Sequence, residues 1–383
     1  MVGLSDDIQN ADLVIVGSGF FGSTVAEQAA SLFGKKVVVL ESRNHIGGNA
    51  YSFIDSSSGI EVHKYGSHLF HTSNKKVWDY INGFTSFNNY IHKVVAISDD
   101  KVYTLPFNLH TLAEVYGHHF SPLNSRNKFR LNENNNEDFE NLEEKAISMV
   151  GPEIYQKLVK GYTEKQWQMD PRMLPGSIIK RLPVRDNFNS DYFDDIYQGL
   201  PVIGYGKLFE KILDNPLISV HLETDFFKVE KLINSLVVYT GPIDKFFGYK
   251  YGELGWRTLD FEFEEVECEN YQGNSVINYP DTNVPYTRIH EFKYLHPERP
   301  PVPTTIIARE YSRVASSEDE PYYPVNSPSD RSNLLKYREL AKKLPNIFFG
   351  GRLGTYQYLD MHMAIASALN LVETKLSEIW RVK

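Results

Sequence analysis

The sequence predicts an α/β protein in which one parallel-sheet domain is assembled from distant parts of the chain and carries two inserts, one helical and one mainly antiparallel β-sheet. Three observations predict it. A strand, a glycine turn, a helix and a second strand follow one another from Asp12 to Glu41. Near the other end, the apolar strand Ile347-Phe348-Phe349 leads into Gly350-Gly351-Arg352 and a helix starting near Asp360. Between them the pattern is helical from about Leu109 to Lys165. From Gly255 to Tyr311 it is a run of strands separated by Gly and Pro.

Leu13-Val14-Ile15-Val16 is a short apolar strand, Gly17-Ser18-Gly19-Phe20-Phe21-Gly22 the turn, Ser23 to Phe33 a helix and Val37 to Leu40 a second buried strand. The first glycine permits the tight turn, the second lets backbone approach a pyrophosphate at the helix N-terminus, and the third lets the helix lie close on the sheet. Glu41 follows roughly 20 residues after the last glycine, where a ribose-binding carboxylate belongs. Together these make a Rossmann-like dinucleotide fingerprint. Arg43-Asn44-His45-Ile46-Gly47-Gly48-Asn49-Ala50 adds a second glycine pair, an extension that resembles FAD-binding proteins of the amine-oxidase and glutathione-reductase kind. FAD is the cofactor this resemblance implies.

Further along, Ile60 to Phe70 alternates as a strand, Lys75 to Phe84 reads as a short helix, and Tyr90 to Leu105 as two strands around the turn Ser98-Asp99-Asp100-Lys101. Ser121 to Glu144 is polar and Asn-rich, including Asn134-Asn135-Asn136, and reads as a solvated loop. Gly151 to Trp167 is helical again until Pro171, Pro175 and Pro183 break it. The expected domains are a cofactor domain from 11–88, 201–240 and 326–383, a helical domain at 105–200 with a mobile basic loop at 171–186, and a sheet domain from 89–104 and 241–325.

A length of 383 residues suits two or three domains. The formal charge of −9 argues against nucleic acid as a partner, so an anionic ligand has to meet a local cluster of Arg and Lys. The single cysteine, Cys268, excludes an intramolecular disulfide and a cysteine-rich metal site, and no metal is expected. The start of the chain is polar and acidic, without a leader pattern. No stretch approaches the roughly 20 apolar residues of a membrane span, and a cytoplasmic location is expected.

Such a cluster exists. Between Pro171 and Asp186 stand Arg172, Lys180, Arg181 and Arg185, without an Asp or Glu among them. Arg offers bidentate hydrogen bonds to phosphate, so this loop is either a lid that closes on phosphates or a solvated basic segment. Composition leaves both open.

The order of motifs narrows the reading. His63 to Thr72, Gly161-Tyr162-Thr163-Glu164-Lys165-Gln166-Trp167, Arg181-Leu182-Pro183-Val184-Arg185, Tyr192-Phe193, Pro285-Tyr286-Thr287-Arg288, Arg309-Glu310-Tyr311, Glu320-Pro321-Tyr322-Tyr323-Pro324 and Gly350 to Met361 together resemble the prokaryotic UDP-galactopyranose mutases. That resemblance runs from about Asp12 to the final helix. It implies that Arg181 and Arg288 hold a substrate diphosphate, helped by Tyr192, Tyr323 and Tyr358. Tyr162, Thr163, Trp167 and Phe193 would line the uridine and sugar path, with Asn278 and His71 towards sugar and flavin. The flavin would be held by Gly17, Gly19, Phe20, Gly22, Glu41, Arg43, Gly48, Asn49, His68, Arg352, Tyr358, Asp360 and Met361.

The chemistry implied is the redox-neutral interconversion of UDP-galactopyranose and UDP-galactofuranose, with N5 of reduced FAD as nucleophile at the anomeric carbon. NAD(P)H or another reductant would supply the electrons. A homodimer and a role in galactofuranose-containing cell-surface glycans are part of the same implication. Two rivals share the opening unit: an FAD-dependent amine oxidase or desaturase, and a non-catalytic binding protein resembling the GDP-dissociation inhibitors.

Overall fold

The computed structural model describes residues 2–125, 128–129 and 139–381, the side chains of Val2, Lys180, Arg181 and Arg381 excepted. The Asn134 to Asn136 run and the side chain of Arg181 therefore lie outside what is described.

The first sheet has five strands, all parallel, in the order Ile347–Phe349, Leu236–Tyr239, Leu13–Val16, Val37–Leu40, Ile218–His221. Its central strands, LVIV, VVVL and LVVY, are continuous apolar runs, as a sheet covered on both faces requires. Side chains alternate between the faces. Leu13 and Ile15 pack beneath the helix Phe20–Phe33 through Val25, Ala26 and Ala29, and the C-terminal helix Met361–Leu371 joins them through Ala368. Val14 and Val38 face the opposite way, onto Phe226, Val229 and Ile8. Ile8 belongs to an N-terminal helix, Val2–Asn10, that the sequence pattern did not suggest. Residues more than 200 positions apart thus share one sheet, which is the Rossmann-like, discontinuous arrangement expected.

The second sheet has seven strands in the order Tyr323–Pro324, Trp256–Val266, Thr305–Val314, Arg288–Glu291, Val276–Asn278, Val94–Ser98, Lys101–Leu105. Every pairing is antiparallel except that of Val276–Asn278 with Val94–Ser98. The helical insert covers one end of it. Leu112 of helix Leu109–Tyr116 and Leu142, Ala146 and Val150 of helix Leu142–Ile154 share a core with Val94, Tyr103 and Leu105.

One expectation fails. Ile60 to Phe70 is not one strand but two, Glu61–His63 and Phe70–Thr72. The chain turns between them at Gly66, whose φ of +83° and close approach to the Phe261 ring exclude extended backbone and any side chain.

Between the two sheets lies a buried ionic knot. Glu61, 2% exposed, accepts from Ser52 Oγ at 2.6 Å, from Arg299 at 2.6 Å and from the Tyr205 amide at 3.2 Å, and stands 2.9 Å from His296 Nε2. Burial pushes its carboxyl up, but His296, His63 and Ser52 together hold it well below the ordinary value. A carboxylate depressed in the folded state stabilises above its unfolded value, about 4.5, and loses that contribution as pH falls through the folded value. Glu61→Gln is predicted to destabilise the fold by about 3 kcal/mol at neutral pH. In denaturant titrations that gap should narrow progressively below about pH 4.5.

Candidate active site

The glycine turn builds the first half of the site. Gly17 has φ +97°, and a Cβ there would lie 2.2 Å from Thr240 Oγ1; a Cβ on Gly22 would lie 2.0 Å from the Gly17 carbonyl oxygen. No other residue fits either place, so the backbone stays bare where the helix Phe20–Phe33 begins. Glu41 closes the turn: its carboxylate accepts from the Ser18 amide at 3.0 Å, from Ser18 Oγ at 2.6 Å and from the Arg43 amide at 3.0 Å. Arg43 in turn donates to Asn49 Oδ1 at 2.7 Å, pairs with Glu320 and lies 4.7 Å from the centre of the Tyr65 ring. Its other terminal nitrogen is buried without a protein partner.

These residues line a cavity of about 720 Å³. Gly17, Gly19, Phe20, Gly22, Glu41, Arg43, Gly48 and Asn49 occupy it at one part, and His68, Arg352 and Met361 at another. A second cavity of about 750 Å³ adjoins it, and His68, Val325, Arg352 and Met361 belong to both. Arg352 is held by neutral groups, donating to the carbonyls of Tyr322 at 3.1 Å and Leu359 at 2.7 Å, and sits 4.6 Å from the Tyr358 ring centre. Among the described residues no carboxylate pairs with it, so the shared wall keeps a positive charge.

His68 is fixed by the turn at Gly66. Its Nδ1 lies 2.8 Å from the Gly66 carbonyl, which can only accept, so Nδ1 carries the proton and Nε2 a lone pair. Burial and then Arg352 and His290 push its pKa down to about 4, leaving it neutral at physiological pH. Polar groups of this turn also end on histidines: the His68 N–H donates to His63 Nδ1 at 3.0 Å, and the Ser67 hydroxyl lies 2.8 Å from His290 Nδ1.

The second cavity is where most of the remaining candidates meet. Tyr162, Thr163, Trp167, Tyr192, Phe193, Asn278, Arg288, Tyr323 and Tyr358 line it, with His71 and Asp360. Thus Tyr358 and Asp360, assigned to the flavin side by resemblance, border only the second cavity. Tyr323 and Tyr358 stack with ring centres 5.7 Å apart, and His71 stacks on Phe193 at 3.7 Å while its Nδ1 meets Asp195 at 2.5 Å.

Strand register places the cationic centre. Arg288 stands opposite Glu310 in the antiparallel pair, and its Nε lies 3.2 Å from Glu310 Oε1. Glu310 is 2% exposed and also accepts from Thr287 Oγ1 at 3.0 Å and His290 Nε2 at 3.1 Å. Burial raises its carboxyl, yet Arg288, His290 and Thr287 outweigh that and hold it below the ordinary value. The ion pair uses the inner nitrogen of Arg288. A terminal nitrogen donates to the Tyr162 hydroxyl. Burial lifts Tyr162 to about 12 and also lifts Tyr323, so both remain neutral donors.

The basic loop divides. Arg172 pairs with Asp170 on the surface at 2.5 Å, and Arg185, 8% exposed, binds the Asn189 carbonyl and the Asp194 carboxylate at 2.6 Å. Those two arginines hold the chain rather than face a ligand. Pro175, Ser177, Ile179, Leu182 and Pro183 line the second cavity on either side of Arg181. Residue patterns did not single out His290 or Asp195 and gave Glu310 no role beyond its place in a motif, although the Arg288-x-His290 spacing puts both on one strand face.

Comparison with known proteins gives the family. The model of UDP-galactopyranose mutase matches residues 157–358, and that of an NAD(P)-binding Rossmann-like domain matches residues 15–84. A probable UDP-galactopyranose mutase of Klebsiella pneumoniae is 41% identical, covering 97% of this chain and 96% of its own. A dTDP-fucopyranose mutase of Escherichia coli is 40% identical over 94% of this chain and 97% of its own, and a UDP-galactopyranose mutase of Mycoplasma genitalium 34% identical over 97% and 96%. Among solved structures, reduced UDP-galactopyranose mutase superposes with a TM-score of 0.72 at 15% identity, over 96% of this chain and 94% of that one. A putative protoporphyrinogen oxidase of Exiguobacterium superposes at 0.62 and 12% identity, over 97% and 99%. At such identities these two show the fold alone. With half of its length matched by the family model and relatives above 30% identity along nearly all of it, the chain belongs to the UDP-galactopyranose mutase family.

Proposed function

We propose that this chain is an isomerase interconverting UDP-galactopyranose and UDP-galactofuranose on reduced FAD, without net redox change. The observation that carries the reading is the pair of adjoining cavities that share a cationic wall. One has a bare glycine cradle, and the other contains Arg288 among neutral tyrosines. Residues of the first fit a flavin dinucleotide: the cradle takes backbone-bound phosphate, and the unpartnered Arg43 nitrogen needs an acceptor. When bound, reduced FAD supplies a nucleophilic ring nitrogen.

The chain's own residues do the rest. Arg288 and the Tyr162 hydroxyl, with Tyr192, Tyr323 and Tyr358, receive the diphosphate, and Arg181 joins them. As the anomeric bond to the diphosphate breaks, negative charge grows on its oxygens, and a pre-placed guanidinium stabilises it without reorganisation. Thr163, Trp167 and Phe193 border the uridine and sugar, with Asn278 and His71 nearby. Arg352, lacking a carboxylate partner, favours an anionic ring at the shared wall. Neutral His68 adds an acceptor there. The domain limits 11–88, 201–240 and 326–383 for the cofactor, 105–200 for the helical insert and 89–104 with 241–325 for the sheet follow this division of labour. NAD(P)H as electron source, closure of the 171–186 loop, a homodimer, a cytoplasmic location and a role in galactofuranose-containing glycans belong to the same proposal. Among the described residues no helix is long and apolar enough to cross a membrane.

A second reading has its own support in the E. coli relative, whose name gives dTDP-fucopyranose, at nearly the same identity. Parallel assays with UDP-galactopyranose and dTDP-fucopyranose separate them. The first reading predicts the higher kcat/KM for the UDP sugar, and the reverse order would install the second.

Arg288→Ala, and likewise Arg181→Ala, should lower turnover by about 100-fold or more while bound flavin is retained. Arg288→Lys should restore little, since a point charge does not reproduce the planar fork. Gly22→Val should yield a chain without flavin absorbance after gel filtration, because its side chain would collide with the Gly17 carbonyl. Full flavin content in that variant would contradict the assignment of the cradle.

A further inference from the structure

Lys165 sits in the helix Gly161–Trp167, whose Tyr162, Thr163, Gln166 and Trp167 border the second cavity, yet Lys165 itself does not line it. Its half-buried ammonium instead donates to four backbone carbonyls: Asp281, Val284 and Tyr286, each at 2.9 Å, and Tyr279. All four belong to the connection between strands Val276–Asn278 and Arg288–Glu291, in which Asn278 and Arg288 are direct partners. Both of these partners line the cavity.

The chemistry of the cage is specific. Four carbonyl oxygens turned towards one point repel one another, and each is a part-buried acceptor that a donor satisfies. An ammonium offers three N–H bonds, one of which two carbonyls must share, and a full charge that attracts all four oxygens, whereas a neutral amine would present a lone pair to them. The connection is also fastened from outside, where the Asp281 carboxylate accepts from Ser98 Oγ at 2.5 Å and from the Asp99 amide at 2.9 Å. Helix and connection approach so closely that a Cβ on Gly161 would lie 2.4 Å from the Pro280 carbonyl oxygen. Lys165 therefore fills the space between the element that carries Tyr162 and the element that carries Arg288.

We propose that Lys165 is a positioning residue for ligand binding in the second cavity: its caged ammonium sets the connection 279–286, and with it the Asn278 and Arg288 pair, against Tyr162. This rests on the reading that the cavity receives a sugar nucleotide. The side chain touches no reacting atom. Its effect passes through the backbone to Arg288, so it acts on binding of the diphosphate while the flavin cradle, built from other segments, is untouched.

The test compares the parent flavoprotein with Lys165→Met, which keeps most of the unbranched side chain and removes the charge, and Lys165→Ala, which empties the cage. Binding of UDP is followed by titration and turnover of UDP-galactopyranose by chromatography. Both variants are expected to retain flavin while the Kd for UDP and the KM rise about tenfold or more, with a smaller fall in kcat. Methylammonium chloride should recover part of that loss in Lys165→Ala but not in Lys165→Met, and tetramethylammonium chloride at equal ionic strength should recover none. Unchanged UDP binding in Lys165→Met, or a deficit in Lys165→Ala that both salts treat alike, would overturn the proposal. Failure of both variants to fold would also overturn it, because Lys165 would then serve the core as a whole. The parent's own turnover judges the function proposed above. The ratio of variant to parent in UDP binding judges Lys165 separately.

Discussion

Glu310 is a carboxylate set in the middle of the antiparallel sheet, and a buried charge is tolerated only where it is paired and hydrogen-bonded. Its partners are the parts of the site that must not move. Arg288 faces it across the strand pair, Thr287 and His290 donate to it, and His290 passes the constraint on to Ser67 in the turn that presents His68. One anion thus fixes the cation of the second cavity and the histidine at the wall of the first. Were Glu310 lost, Arg288 would be left without its counter-charge, and the tautomer of His290 would lose its definition.

The distribution of charge follows from the same economy. A chain with a net charge of −9 repels polyanions at long range, and under the proposed function a diphosphate would be met at the part-buried Arg288, where a guanidinium counts for more than in bulk water. Around Arg288 the protein places Tyr162 and Tyr323, kept neutral by burial, which offer hydroxyl groups without adding charge. Other arginines are spent on structure. Arg185 pins its own loop, and Arg257, 2% exposed and held by the Gln166 carbonyl and Ser312, docks the helix that carries Tyr162.

Features set by adjacent residues were legible in the sequence. The glycine turn, the strand at Leu13 and the carboxylate at Glu41 depend on neighbours within one βαβ unit, and the apolar runs announce a sheet covered on both sides. What the sequence hid depends on register and on backbone direction. Arg288 meets Glu310 because two strands pair in one register, which no local pattern encodes. The cage around Lys165 is made of carbonyl oxygens, and those belong to every residue type alike. The segment from Ile60 to Phe70 misled because its alternation is real on both sides of a glycine that reverses the chain. The basic loop stayed open for another reason: composition cannot tell an arginine aimed at a ligand from Arg185, which donates to the Asn189 carbonyl and the Asp194 carboxylate.

Under the proposed function, the first of the adjoining cavities would hold a cofactor that works beside the sugar in the second and is not consumed. The most direct measurement incubates UDP-galactopyranose with the oxidised and the dithionite-reduced flavoprotein side by side and separates the products by chromatography. The account predicts UDP-galactofuranose from the reduced protein alone, through many turnovers and with no stoichiometric loss of reducing equivalents. Conversion that consumes an electron acceptor mole for mole, or no conversion by the reduced protein, would contradict it.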